Sequence, residues 1–178
     1  MLNLLGKSAA RREQGRVLEQ SLAARARAPS FFITFGVPDT MDGRFDMMAL
    51  HAWLALARLK SSGQDEAAQD LTDALFIGFD EALREQGISD MGMGRRMKAL
   101  ANAFYGRLQA YDAANDREQL AEALARNVWR GAPVSEKARA LAAYAEGARA
   151  ALARAPLGTL DFGPPPSASN SEAVGHKK

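Results

Sequence analysis

The chain has 178 residues, with 23 Lys and Arg against 21 Asp and Glu for a net charge of +2, and it has no Cys. The length suffices for one domain with its own core, and the missing Cys excludes disulfides, thiolate metal sites, iron–sulfur clusters and Cys nucleophiles together. So small a charge is not the field of a dedicated nucleic-acid binder, no DNA-binding motif is present, and two His are too few for a multi-His metal site within one chain.

Ala, Leu and Arg dominate, all good helix formers, and no run alternates Val, Ile or Thr as a strand would. The expectation is an all-α, single-domain bundle of about six helices. Residues 45–59 form the most apolar stretch, but they include Asp46, His51 and Arg58, and a span needs roughly 20 apolar residues. The start is too short for a signal-peptide core. The expected location is cytoplasmic, with a peripheral position at the inner membrane left open.

In chain order, a basic helix is expected over 8–28. Val17, Leu18 and Leu22 are its apolar positions, and Pro29 stops it. Residues 29–44 follow as an ordered strap of low helix content, carrying Phe31, Phe32, Ile33 and Phe35 among Gly, Pro and Asp turn residues. A helix over 46–61 is apolar nearly all round, which predicts burial at the bundle centre.

The helix over 64–86 repeats Leu71, Leu75, Phe79 and Leu83 every four residues, carries the i,i+4 pair Asp80 and Arg84, and ends at Gly87 as its C′ residue. The next begins after Asp90, an N-cap candidate, and runs to about 114 with Met93, Met97, Leu100, Phe104, Leu108 and Tyr111 inward. Arg95, Arg96 and Lys98 lie off that stripe. Asp116 and Gln119 read as a capping box for a helix to Trp129. Ser135 opens the last helix, whose Ala138, Leu141, Ala145, Ala148 and Leu152 make a narrow seam ended by Pro156. The division expected is 1–30 basic helix, 31–155 helical body, and 156–178 disordered tail.

Several residues invite a chemical reading beside a structural one. Asp39, Asp42 and Arg44 sit among turn residues before the buried helix, as a recognition loop or as local caps. His51 reads as a haem ligand, a general base or a hydrogen-bonded core His. Arg58 shares its face and needs a partner, with Asp73 or Asp80 expected. Asp80, Arg84, Glu85 and Asp90 make a charged helix corner rather than a catalytic carboxylate pair. Met91, Met93 and Met97, with Gly92 and Gly94 between them, suit adaptable binding of apolar segments or ordinary packing. Gly106 inside a helix costs about 1 kcal/mol against Ala, which predicts a kink or a close backbone approach, with Tyr105 and Arg107 facing whatever approaches.

Two runs now carry a resemblance: FFITFGVPDTMDGRFDMMALHAWLALARLK and DALFIGFDEALREQGISDMGMGRRMKALANAFYGRLQAYDAA. Together, in this order, they resemble the ubiquinol–cytochrome c chaperone family. The resemblance implies an all-α fold, no catalysis and no cofactor. Its members assist biogenesis of ubiquinol–cytochrome c reductase and, in mitochondria, bind newly made cytochrome b beside a small partner protein near the ribosomal exit. The pattern falls on Gly36, Pro38, Asp39, Gly43, Arg44, Asp46, His51, Arg58, Asp80, Arg84, Gly87, Asp90, Phe104, Tyr105, Gly106 and Arg107. It departs at Ile77-Gly78, Gln86 and Ile88. With no mitochondrial-type leader in view, a bacterial member is expected.

On this basis the expected client-binding residues are Phe35, Asp39, Arg44, Asp46, Met91, Met93, Tyr105 and Arg107. The aromatic strap and the methionines would form an apolar groove, with Arg44, Arg95 and Arg107 reading polar flanks. The expected partner is cytochrome b, with the ribosome or inner-membrane surface as possible neighbours and no DNA. The alternatives are a haem-handling protein using His51, and an accessory subunit retained in the complex.

Overall fold

The computed structural model describes residues 2–87 and 90–166. Among them are seven helices and no strand: α1 (Leu2–Ala26), α2 (Pro29–Ile33), α3 (Met41–Ser61), α4 (Asp65–Glu85), α5 (Asp90–Asp112), α6 (Arg117–Val128) and α7 (Glu136–Arg154). The all-α expectation holds. The additional element is α2, a short helix within the strap, begun by Pro29 at its first position, where a missing N–H costs nothing.

The strap also ends earlier than composition suggests, because α3 starts at Met41 and not at 46. Thr40 is its N-cap, with Oγ1 accepting from the Gly43 amide at 3.2 Å. Gly43 is required there: a Cβ would stand 1.9 Å from the Pro38 carbonyl oxygen. The turn before α3 therefore folds tightly against the first turn of the helix it leads into.

From that start α3 runs through the centre and touches α1, α4, α5, α6 and α7. Its Met47, Leu50, Leu54 and Leu59 are fully buried or nearly so, as the unbroken apolar surface requires. On one side α1 lies close along α4. A Cβ on Gly15 would come within 2.4 Å of the Asp70 carbonyl oxygen, and Arg11 pairs with Asp70 at 2.8 Å beside that contact. On the other side α6 and α7 pack together, with Ala138, Leu141, Ala142, Ala145, Ala148 and Leu152 buried along the expected seam.

The local stop and start signals work as chemistry predicts. Asp116 accepts from the Gln119 amide at 2.8 Å, and Ser135 accepts from the Ala138 amide at 3.3 Å. The Gln119 side chain closes its half of the box one residue early, accepting from the Asn115 amide at 3.0 Å. Gly87 takes φ +77° just past α4, the left-handed geometry of a C′ glycine. Asp80 and Arg84 pair at 2.8 Å. Ile88 and Ser89 lie outside the described residues, as does the side chain of Asp90, so its expected capping bond does too.

Of the segment expected as a tail, residues 156–166 run along the body, and 167–178 lie outside the described residues. Leu160 and Phe162 are buried, Ser21 donates to the Leu160 carbonyl at 3.3 Å, and Arg25 donates to that of Gly163. Two apolar anchors one residue apart suffice to seat this stretch despite its Gly and Pro content.

No close approach to Gly106 occurs among the described residues. A Cβ there would meet nothing within 4 Å. Gly106→Ala should therefore stabilise the protein by about 1 kcal/mol, whereas Gly43→Ala should cost about 3 kcal/mol or more. Urea unfolding of the two variants checks both signs.

Candidate functional site

The first turns of α3, the body of α5 and the α6–α7 turn bring together a cluster of charges around a buried carboxylate. Asp46 has no exposed surface at all. Arg107, from α5, donates through Nε to its Oδ1 at 2.6 Å and also through Nη1 to the Ala103 carbonyl at 2.9 Å. The Arg107 guanidinium lies 4.8 Å from the Phe45 ring centroid, a cation–π contact. Arg130, from the α6–α7 turn, brings Nη2 to 3.1 Å from Oδ2 of Asp46 and to 3.4 Å from Asp42. Burial raises the Asp46 carboxyl above its ordinary pKa, against the opposing pull of Arg107 and then Arg130.

Arg130 is the residue that sequence reasoning missed. Among the described residues it is the one non-glycine with positive φ, at +55°, followed by Gly131 at +83°. Its neighbours Gly131 and Pro133 mark a turn in the sequence, but nothing local says that an arginine there reaches back to α3.

The expected binding residues divide. Asp46 and Arg107 meet, but as a buried pair and not as a surface. Asp39 and Arg44 pair with each other at 2.8 Å and are both exposed. Phe35 and Met93 are buried, as is Phe31, which removes the strap phenylalanines and Met93 from an open apolar groove. Phe31 turns inward onto His51 with Phe35 packed on it, Phe32 is half-buried, and the segment leaves Ile33 at 80% and Met41 at 58% exposure. Met91 is fully exposed. Tyr105 is half-exposed and stacked on Phe76 at 5.9 Å. It lines a cleft of about 580 Å³ between α3, α4 and α5, with Leu56, Lys60, Thr72 and Leu108.

Several residues of the family pattern make identifiable contacts in the fold. Gly36 takes φ +64° and offers its carbonyl to the Trp129 indole N–H at 3.1 Å. Pro38 supplies the carbonyl that crowds Gly43. Arg58 pairs with neither Asp73 nor Asp80; it donates to the carbonyls of Leu152 and Ala155 at 2.8 and 3.3 Å, satisfying the C-terminal end of α7. A cation suits that end of a helix, so a carboxylate is not needed.

His51 is fully buried against Phe31, Tyr144 and Phe162. Its Nδ1 is 2.7 Å from the Met47 carbonyl, which only accepts, so Nδ1 carries the proton. Its Nε2 then accepts from the Tyr144 hydroxyl at 2.8 Å. Burial pushes the His51 pKa down to about 4, so the ring is neutral near pH 7. With both nitrogens engaged, the geometry is that of a core histidine. Among the described residues, no group of three or more His, Asp and Glu is placed to hold a metal.

Two predictions follow from these geometries. Arg107→Ala leaves Asp46 buried with Arg130 alone and should cost about 3 kcal/mol; Arg44→Ala, in an exposed pair, should leave the unfolding midpoint unchanged. For His51, the unfolded state takes up a proton near 6.5 and the folded state near 4. Its contribution is therefore complete above about pH 6.5 and is lost as pH falls toward 4, by about 3 kcal/mol in all. Chemical unfolding at pH 7 and pH 4 should show wild type losing that much more than His51→Gln; equal losses would contradict the burial argument.

Residues 34–164, which span α3 to α7 and the packed stretch beyond, match the family described as Ubiquinol-cytochrome C chaperone. The crystal structure of the Cbp3 homolog from Brucella abortus is 38% identical, covers 88% of this chain and 90% of its own, and superposes with a TM-score of 0.75. Ubiquinol-cytochrome-c reductase complex assembly factor 1 of Xenopus laevis is 26% identical over 102 residues, or 55% of this chain. The chain matches only about half of that relative's length, 51%. With a family match from α3 through α7 and a superposable fold, the chain belongs to the ubiquinol–cytochrome c chaperone family, whose members are assembly factors of complex III.

Proposed function

We propose that the chain is a non-enzymatic chaperone that binds newly made cytochrome b during assembly of ubiquinol–cytochrome c reductase. The observation that carries the reading is the family match over residues 34–164, which includes α3 and the long helices α4 to α7 packed around it. The name of the Xenopus relative points to the same assembly process.

The physical case rests on what such a client needs. Newly made segments of a membrane protein are apolar, and cover for them must itself be apolar and open. The corner formed by α2 and the start of α3 offers Ile33 and Met41 to solvent, with the Asp39–Arg44 pair beside Met41. The cleft edged by Tyr105 adds Leu56 and Leu108 among polar side chains, and Ile77 is exposed elsewhere on α4. Recognition elements on a rigid scaffold are a common arrangement, and the Asp46 cluster behind the corner supplies the rigidity. In this reading Arg107 acts through Asp46 and does not touch the client, so Arg44 is the informative charge to vary.

A photo-crosslinking amino acid placed in turn at Ile33, Met41, Tyr105 and Val17 tests the assignment during synthesis of cytochrome b. Val17 is half-exposed on α1, outside the family match. Adducts with cytochrome b are expected from the first three positions and not from Val17. Adducts from none of the four would overturn the client; adducts from Val17 alone would move the surface to α1.

A further inference from the structure

We propose that the first turns of α5 dock this protein on the surface of a bilayer containing anionic phospholipid. The inference goes beyond the chaperone reading and does not depend on the client's identity.

Residues 91–111 contain four cations and no carboxylate. Arg107 turns inward to Asp46. The other three, Arg95, Arg96 and Lys98, are exposed and have no ion-pair partner among the described residues. Some exposed arginines elsewhere are matched, Arg16 with Glu13, Arg117 with Glu146 and Arg139 with Glu118, while Arg12, Arg27, Arg126 and Arg154 are exposed without an ion pair among the described residues; what marks the start of α5 is three such cations within four residues. Nor does the helix reward their placement, since cations are favoured toward the C-terminal end. Among the described residues, the charge near the start of α5 therefore has no ion-pair partner.

An apolar group stands in the same place. Met91 is wholly exposed, and spacing of four and then three residues puts Met91, Arg95 and Lys98 on one face of α5. Met93 is buried, so the face opposite is anchored in the body. Gly94 leaves open space where a side chain would stand, so nothing bulky separates Met91 from Lys98 along the helix edge. An apolar side chain flanked by long cations fits the boundary of an anionic bilayer, where the methyl group enters the acyl margin and the charges meet phosphate. RNA would use the cations but has no use for a bare methionine, and it favours aromatic stacking. No described helix is long and apolar enough to cross a membrane, so the contact is superficial.

The experiment is flotation of the full chain with vesicles of phosphatidylcholine, alone or mixed with phosphatidylglycerol. The protein should float with the mixed vesicles, stay behind with the neutral ones, and be released by salt. Replacing Arg95, Arg96 and Lys98 together by Gln should lower partitioning about fivefold per charge removed, and Met91→Ser should lower it further at any salt concentration. All four side chains are exposed, so thermal melting should match wild type in each variant. Binding to neutral vesicles as strong as to anionic ones, or partitioning unaffected by the triple substitution, overturns the proposal. So does failure to float alongside retention of an RNA oligonucleotide that the triple variant loses, which would give this face to nucleic acid.

Discussion

A carboxylate with no exposed surface constrains this molecule more than any other single group. Asp46 is buried at the start of the central helix, and a buried charge is tolerated only when its partners are held in place. Those partners come from far along the chain. Arg107 is on α5, and Arg130 is on the α6–α7 turn in a left-handed backbone conformation. Satisfying Asp46 thus fixes three elements relative to one another. The same cluster orients Phe45 beneath Arg107, and Phe45 packs on Phe79 of α4. The corner that carries Met41, Asp39 and Arg44 sits on this foundation and inherits its rigidity.

A second anchor does for the far side what Asp46 does for the near one. His51 joins the Met47 carbonyl to the Tyr144 hydroxyl, and Phe31 and Phe162 close over its ring. Four segments meet there: α2, α3, α7 and the stretch after α7. This explains why the aromatic strap faces inward. Phe31 packs on the neutral imidazole and Phe35 on Phe31, while Ile33 is left at the surface. Arg58 completes the set by holding the end of α7 through carbonyls alone. In both anchors, polar groups in α3 specify how the surrounding helices are seated.

What could be read in the sequence followed the range of the interactions. Caps at Asp116 and Ser135, the Gly87 stop, the Asp80–Arg84 pair and the alanine seam of α7 are local or periodic, and all were legible. The burial of α3 was legible as well, because an apolar surface on every side has few other outcomes. The site was less so. Asp46 and Arg107 were singled out, but as surface groups, since neither burial nor Arg130 is visible from local pattern. Arg58 was expected to find an acid, although backbone carbonyls at a helix end serve a guanidinium equally well and leave no trace in the residue pattern. Phe35 reads as a binding residue, and Met93 as both inward stripe and binding candidate, because aromatic and methionine clusters look alike whether they bind a partner or the core. Thr40 was passed over as a cap amid stronger turn residues, which shifted the start of α3. Ile33 and Met41, the exposed apolar residues of the corner, carry no sequence signature at all.

The central claim is that this helical body acts on cytochrome b before complex III is assembled. Pull-down of the tagged chain from growing cells, with identification of what accompanies it, addresses that claim most directly. The account predicts recovery of cytochrome b without the other subunits of the complex. Stoichiometric recovery of the whole complex would make the chain a retained subunit, and recovery of neither would contradict the proposed role.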